Sequence, residues 1–318
     1  MTGQITGMAD AGRGISLAYE RFGDPGADPV VLIMGLGQQM NSWPTAFCEQ
    51  LAARDYRVVR FDNRDTGQST HLRFRPPSVA ALLARRWPAE QYDLTDMAAD
   101  TVGLLDALGY HDAHLVGASM GGMIAQTVAA LWPERVRTLT SIMSTTGARR
   151  VGRPALSTWR LMAARPPETR EAAIQRSVRI FRHIRSRGFP FDEARVREQA
   201  GLAWDRDPSA AGVARQLAAI FRSGDRTAQL RAVTAPTLVV HGDRDRMVNP
   251  TGGAATARAI TGALLETIPG LGHDLPAGAW PRLIDLIDQH ARRGGQTEHA
   301  RRGGRSEPTG SSDAITSP

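Results

Sequence analysis

Apolar and polar positions along this chain switch repeatedly between the two-residue period of a strand and the 3.6-residue period of a helix. Gly14 to Glu20 alternates like an edge strand, and Gly23-Asp24-Pro25-Gly26 turns it into an opening hairpin. Pro29 to Met34 is a continuous apolar run, the pattern of a parallel strand buried on both faces, and it ends in Gly35-Leu36-Gly37-Gln38. A helix is predicted from about Trp43 to Arg54, then a strand over Tyr56 to Phe61 closed by the polar turn Asp62 to Thr70. His71 to Gln91 carries three prolines and reads as loop or short surface helices. From Leu94 the period is helical, with Met97, Thr101, Leu104, Leu105 and Leu108 on one side and Gly109 as the terminating glycine. His114-Leu115-Val116 is a strand, Met123 to Leu131 a helix, and Val136 to Met143 a further strand. The five strands counted to this point are read as parallel.

The stretch from about Ala148 to Ala232 keeps helical periodicity and has no β pattern. Within it Ile174, Val178 and Phe181 form an apolar stripe, with Arg176, Arg179, Arg182 and Arg187 largely off it. Pro236 to Val240 resumes the strands and leads into His241-Gly242-Asp243-Arg244-Asp245. A helix near Thr251 to Ile260, a strand from Ala263 to Ile268, the loop Pro269-Gly270-Leu271-Gly272-His273 and a helix from Trp280 to Ala291 follow. The pattern predicts an α/β fold with a mostly parallel central sheet flanked by helices. Residues 1–147 and 233–291 form its core, and 148–232 a helical cap inserted between two sheet strands. Residues 292–318 shift to Gly, Ser, Arg, Thr and Pro, too little apolar surface to offset the entropy of ordering, and are expected to be disordered.

Composition narrows the function classes. With 318 residues and 42% apolar content the chain can bury one large core. The longest aliphatic run, Val30 to Met34, falls far below the roughly 20 residues of a spanning helix, so no integral membrane segment is expected. Met1 to Gly14 lacks a basic and then apolar leader pattern, and a cytoplasmic location follows by default. Cys48, the only cysteine, removes any disulfide framework and reads as a small buried hydrophobe. The net charge of +7 raises the question of nucleic acid; all 39 basic residues are arginine, and residues 149–231 hold 18 of them against 8 Asp or Glu. Without interleaved aromatics or a binding motif this is a solvated basic face, and no nucleic-acid partner is expected.

The chemistry centres on Gly117-Ala118-Ser119-Met120-Gly121, between a strand and a helix. A serine at the apex of such a turn is held in a strained conformation, so the residues two before and two after it must lack bulk. It stands at the carboxyl end of its strand, where open α/β sheets place ligands.

The chain resembles the α/β-hydrolase fold family over roughly residues 15 to 291. The matching blocks are Met34-Gly35-Leu36-Gly37, Asp62 to Ser69, the elbow at Ser119, Gly242-x-x-Asp245 and Gly272-His273, and the family order of Ser, acid and His is kept. Within the family, Arg64 to Thr70 and Ser119-Met120-Gly121 are most similar to aclacinomycin methylesterase-like esterases. A serine hydroxyl needs an adjacent base, which His273 would supply, and a carboxylate to fix the imidazole tautomer. Asp245 has the family spacing for that task, two residues beyond its competitor Asp243. Asp274, beside His273, reads as a capping or turn residue. The resemblance implies the backbone N–H groups of Leu36 and Met120 as oxyanion donors; Met34 stands where the commonest pattern has histidine.

His71, His111, His114, His183, His241, His290 and His299 lack an acid-and-nucleophile context and read as surface or satisfied core residues. Asp62 reads as a turn residue held by hydrogen bonds. No cluster has metal-ligand spacing and Gly35-Leu36-Gly37 is no dinucleotide fingerprint, so no cofactor is expected. The expected activity is cofactor-independent cleavage of a carboxylic ester through an acyl-enzyme. The partner would be a small-molecule ester of hydrophobic character, selected by the cap with Trp159, Phe181, Phe189 and Trp204 as pocket or cap-core candidates. A lactonase, a perhydrolase and a low-turnover ligand receptor are the alternatives on the same triad. Epoxide hydrolases and haloalkane dehalogenases need a carboxylate where Ser119 stands.

Overall fold

The computed structural model describes residues 5–303. In chain order the elements are β1 (Ile5–Asp10), β2 (Ser16–Phe22), β3 (Asp28–Ile33), α1 (Thr45–Ala52), β4 (Tyr56–Phe61), α2 (Val79–Leu83), α3 (Leu94–Ala107), β5 (Ala113–Ala118), α4 (Met120–Leu131) and β6 (Val136–Ile142). Five helices follow before the next strand: α5 (Leu156–Met162), α6 (Arg170–Ile184), α7 (Glu193–Arg206), α8 (Ala211–Ser223) and α9 (Thr227–Leu230). The chain then forms β7 (Thr237–Gly242), α10 (Thr251–Ala259), β8 (Leu264–Ile268) and α11 (Trp280–Gly303).

Among the described residues the sheet runs β1-β2-β4-β3-β5-β6-β7-β8, parallel from β4 to β8. Alternate residues of β3 face opposite layers. Val31 and Ile33 join α3 and α4 in one core, whereas Val30 and Leu32 join α1 and α11 in the other, which is why this strand reads as unbroken apolar sequence. Local signals are met as well. Asp93 accepts from the amides of Thr95 and Asp96 while Asp96 returns a bond to the Asp93 amide, a capping box that starts α3. Gly109, at φ +75, ends it.

Three expectations need correction. Residues 5–10 form an edge strand that the pattern did not announce, because Ile5 and Met8 face solvent and only Ala9 is buried. β2 is therefore not the edge. It pairs antiparallel with both β1 and β4, so the opening hairpin is β1–β2 and one of the five strands read as parallel is not. Finally, α11 continues beyond Ala291 to Gly303. Arg292 pairs with Asp288 one turn earlier and donates to the Arg54 carbonyl, and Gly294 lies so close to Thr138 of β6 that a Cβ there would sit 2.2 Å from its methyl. Composition read residues 292–303 as tail; they are helix, and the contacts of Arg292 and Gly294 tie its first turn past Ala291 to the core. The rest of that predicted tail, 304–318, lies outside the described residues.

His114 of β5 is buried, edge-on to Tyr56, with Nδ1 2.8 Å from Thr138 Oγ1. Burial pushes its pKa down to about 4. The unfolded ring titrates near about 6.5, so the unfolded state binds the extra proton first as pH falls. Stability is fully present above about 6.5 and declines toward pH 4, a loss of about 3 kcal/mol from this residue. His290, lowered by burial as well, acts in the same direction. His114→Gln should make the fall of the urea midpoint between pH 7 and 4 measurably shallower; an unchanged slope would show that this ring does not set it. Cys48 is fully buried on α1, and desolvation raises its thiol to about 12.

Candidate active site

β5 lies mid-sheet between β3 and β6 and delivers Ser119 directly to the first residue of α4. Ser119 has φ +56 and ψ −119, a conformation that costs a non-glycine residue about 1–3 kcal/mol and persists only where its surroundings impose it. Three hydrogen bonds do so here. The Ser119 amide donates to the Ile142 carbonyl (2.9 Å), and the Ser119 carbonyl accepts from Ser144 Oγ (2.8 Å) and the Met123 amide (3.2 Å). The flanking glycines are required by space. A Cβ on Gly117 would lie 2.2 Å from the Gly121 carbonyl oxygen, and one on Gly121 would lie 2.1 Å from that of Ile33.

The loop after β8 carries His273 to this turn, and the loop after β7 carries Asp245. His273 Nε2 stands 3.0 Å from Ser119 Oγ and His273 Nδ1 2.7 Å from Asp245 Oδ2. An ionised carboxylate only accepts, so Nδ1 carries the proton and the Nε2 lone pair faces the serine hydroxyl. Asp245 Oδ1 accepts from the amides of Met247 and Val248, each at 2.8 Å. Burial alone would raise this carboxyl, yet the charge of His273 and hydrogen bonds from His241 and His273 hold it well below the usual carboxylate range. Asp243 is committed elsewhere, accepting from the Gly270 amide at 2.7 Å.

His241 corrects the reading of the remaining histidines. It is buried at the end of β7, its Nε2 2.8 Å from the Val248 carbonyl and 3.3 Å from Asp245 Oδ2. It therefore faces the same carboxylate oxygen as His273. The one sequence signal was its position four residues before Asp245, which is meaningful only once a tight turn folds the two together. The side chain of His299 lies outside the described residues.

Gly35 packs on the serine: a Cβ added there would sit 3.0 Å from Ser119 Cβ. Leu36 follows immediately, in a turn closed by the Gln38 amide on the Gly35 carbonyl. Asn63 Nδ2 donates to the Met34 carbonyl and ties this loop to the end of β4. Met120 is the first residue of α4, where a helix leaves its N–H without an intrahelical acceptor and its dipole favours negative charge.

The helices between β6 and β7 hold both loops. Ser186 Oγ donates to Asp274 and accepts from the Gly272 amide (2.8 Å), and the His273 amide donates to the Ile184 carbonyl (2.9 Å). Asp274 is thus no helix cap but the anchor of the histidine loop to the segment after α6. Asp62, fully buried, accepts from the Met40 and Gln68 amides and from Arg206 of α7, so the turn reading holds with a partner it did not foresee. Arg215 of α8 forms a two-bond pair with buried Asp65, at 2.6 and 2.8 Å. Arg226 is wholly buried, donating to Met123, Gln126 and Thr145, with its pKa lowered to about 10 by burial. The solvated basic face therefore describes Arg179, Arg182 and Arg187 but not these three arginines. Of the candidate aromatics, Trp159 is 45% exposed, Phe181 and Trp204 are half-buried, and Phe189 packs against the α11 core. Among the described residues no group of three His, Cys, Asp or Glu could hold a metal ion, and no helix is long and apolar enough to cross a membrane.

Comparison with known proteins agrees with this architecture. The family profile described as alpha/beta hydrolase fold matches residues 28–276. The chain belongs to the α/β-hydrolase fold family. Among curated relatives of this hydrolase, rhodomycin D methylesterase DnrP of Streptomyces peucetius is 31% identical over 303 residues, covering 87% of this chain and 95% of that protein. The likeness to methylesterases read from the elbow and the Asp62 turn is thereby borne out. Two solved structures share the fold. An enol-lactonase from Burkholderia xenovorans LB400 has a TM-score of 0.69 at 22% identity, over 89% of this chain and 98% of the other. A putative aryl esterase from Burkholderia cenocepacia has 0.72 at 18%, over 92% and 100%.

Proposed function

We propose that this hydrolase is a cofactor-independent serine carboxylesterase of the methylesterase type, with Ser119 as nucleophile, His273 as general base and acid, and Asp245 as the group that orients the ring. The observation that carries the reading is His273 bridging Ser119 Oγ and Asp245 Oδ2 at 3.0 and 2.7 Å. The hydroxyl proton passes to Nε2 as Oγ bonds to the ester carbonyl carbon, and the oxyanion is met by the amides of Leu36 and Met120. His273 returns that proton to the departing alkoxide oxygen, which leaves as alcohol. Water, deprotonated by the same nitrogen, then cleaves the acyl-enzyme to acid and free serine. Residues 148–232 act in this reading as a cap over the core formed by 1–147 and 233–291.

The methylesterase relative supports ester cleavage over lactone, peroxide or receptor chemistry, and it supports a methyl ester on a small-molecule substrate as the first class to test. A panel of aliphatic and aromatic methyl esters should show turnover by the purified protein, and a fluorophosphonate should label one site per chain, located at Ser119 by peptide mass. Turnover that survives full labelling would overturn the assignment.

A further inference from the structure

Gln216 stands on α8 with its side chain fully buried, and all three of its described hydrogen bonds leave its own helix. Its Oε1 accepts from the Gly37 amide at 2.9 Å, and its Nε2 donates to the Arg64 carbonyl at 2.8 Å and to Thr66 Oγ1 at 2.6 Å. Amide orientation is fixed by chemistry, since Gly37 N–H can only donate and the Arg64 carbonyl can only accept. One cap side chain thus joins the Gly35-Leu36-Gly37 loop to the Asp62–Ser69 turn. Neighbouring contacts press α8 onto both. A Cβ on Gly212 would lie 1.9 Å from the Asp65 carbonyl oxygen, Arg215 holds the Asp65 carboxylate, and Val213 lies against Gly37.

We propose that Gln216 is a positioning residue for the oxyanion site: it fixes the peptide plane after Leu36, so that the seating of the cap sets the direction of the Leu36 N–H. The inference rests on the esterase reading above. An N–H that stabilises developing charge acts only when it is aimed beforehand at the place where the charge appears. Within the loop the Gln38 amide holds the Gly35 carbonyl, which shares a peptide plane with the Leu36 N–H, but glycine on either side of Leu36 leaves the next plane free to turn unless something outside the loop holds it. The Gly37 amide is fixed from the cap side, by Gln216. The substrate's ground-state carbonyl needs this alignment less than the tetrahedral oxyanion does, so the effect falls on kcat more than on KM.

The test compares Gln216→Met, which keeps chain length and loses the acceptor and both donors, with Gln216→Glu, which keeps an acceptor for Gly37. Both are assayed on p-nitrophenyl acetate, with rates expressed per fluorophosphonate-titrated Ser119 and thermal midpoints recorded alongside. The Met variant is expected to lose about 10- to 100-fold in kcat with KM within about threefold, less than the roughly 10²–10³ for removing an oxyanion donor outright. The Glu variant, fully buried and in its protonated form able both to accept from Gly37 and to donate to the Arg64 carbonyl, should recover part of that loss. If the Met variant folds poorly, Gln216→Asn, one methylene short of Gly37, carries the same expectation. Wild-type turnover and labelling with a Met or Asn variant within twofold of wild type per titrated site would overturn the role of Gln216. A lower thermal midpoint with unchanged kcat per site would do the same, leaving a structural contact only. Absence of wild-type labelling and turnover would instead overturn the esterase reading.

Discussion

Ser119→Ala is expected to lower kcat by about 10⁶-fold while the protein stays folded, because in the proposed mechanism the substitution removes the one atom that bonds to the substrate carbonyl carbon. Only the hydroxyl is lost; the Ser119 amide and carbonyl keep their partners on Ile142, Ser144 and Met123. Ser119→Gly should be equally inactive and more stable than Ser119→Ala. The backbone there sits at φ +56, which glycine adopts without the roughly 1–3 kcal/mol charged to any residue with a Cβ. Relief of that strain exceeds the roughly 0.5–1 kcal/mol of extra chain entropy that glycine loses on folding. Paired steady-state kinetics and thermal melts check both parts. An alanine variant retaining more than about a thousandth of wild-type kcat would remove Ser119 as the nucleophile.

Asp245→Asn is expected to cost on the order of 10⁴ in kcat with little change in KM, through the tautomer of His273 rather than through a missing contact. Two backbone amides, Met247 and Val248, point at Oδ1 and demand an acceptor there. The asparagine oxygen takes that place, and its NH₂ then faces His273 Nδ1 and His241 Nε2. Nδ1 becomes the acceptor, Nε2 carries the proton, and the ring presents N–H to Ser119 where a lone pair is needed. Because the wild-type carboxyl is held well below the usual carboxylate range, Asp245 stays ionised as pH falls through that range. An acid-side loss of activity above about pH 4 therefore belongs to another group, and it should be equally placed in variants that leave Asp245 untouched. Kinetics on one ester from pH 4 to 9 decide this; an Asn variant within tenfold of wild type would transfer the orienting role away from Asp245.

The elbow was legible because its demands are local. Strain at Ser119 and crowding at Gly117 and Gly121 leave a residue pattern only a few positions long, and the apolar run of β3 and the terminating glycine of α3 are equally short-range. β1 was not legible, since an edge strand with its apolar side chains in solvent shows no alternation, and the continuation of α11 past Ala291 was hidden by a composition that packing of Gly294 against Thr138 overrode.

His241 illustrates the division most clearly. As a residue type it carries no mark of its role, and its approach to Asp245 exists only because the chain turns back on itself after β7. Sequence by itself determined the kinds of groups this protein has and the order in which strands and helices bring them to one end of a sheet, because those follow from side-chain chemistry and from periods of two and 3.6 residues. Only the tertiary structure decided that Asp245 rather than Asp243 faces His273, that Asp274 and Ser186 pin the histidine loop, and that Gln216, Arg206 and Arg215 leave the inserted helices for the sheet's carboxyl edge. Those pairings join residues far apart along the chain, and their free energy comes from burial and hydrogen-bond geometry that no local pattern encodes.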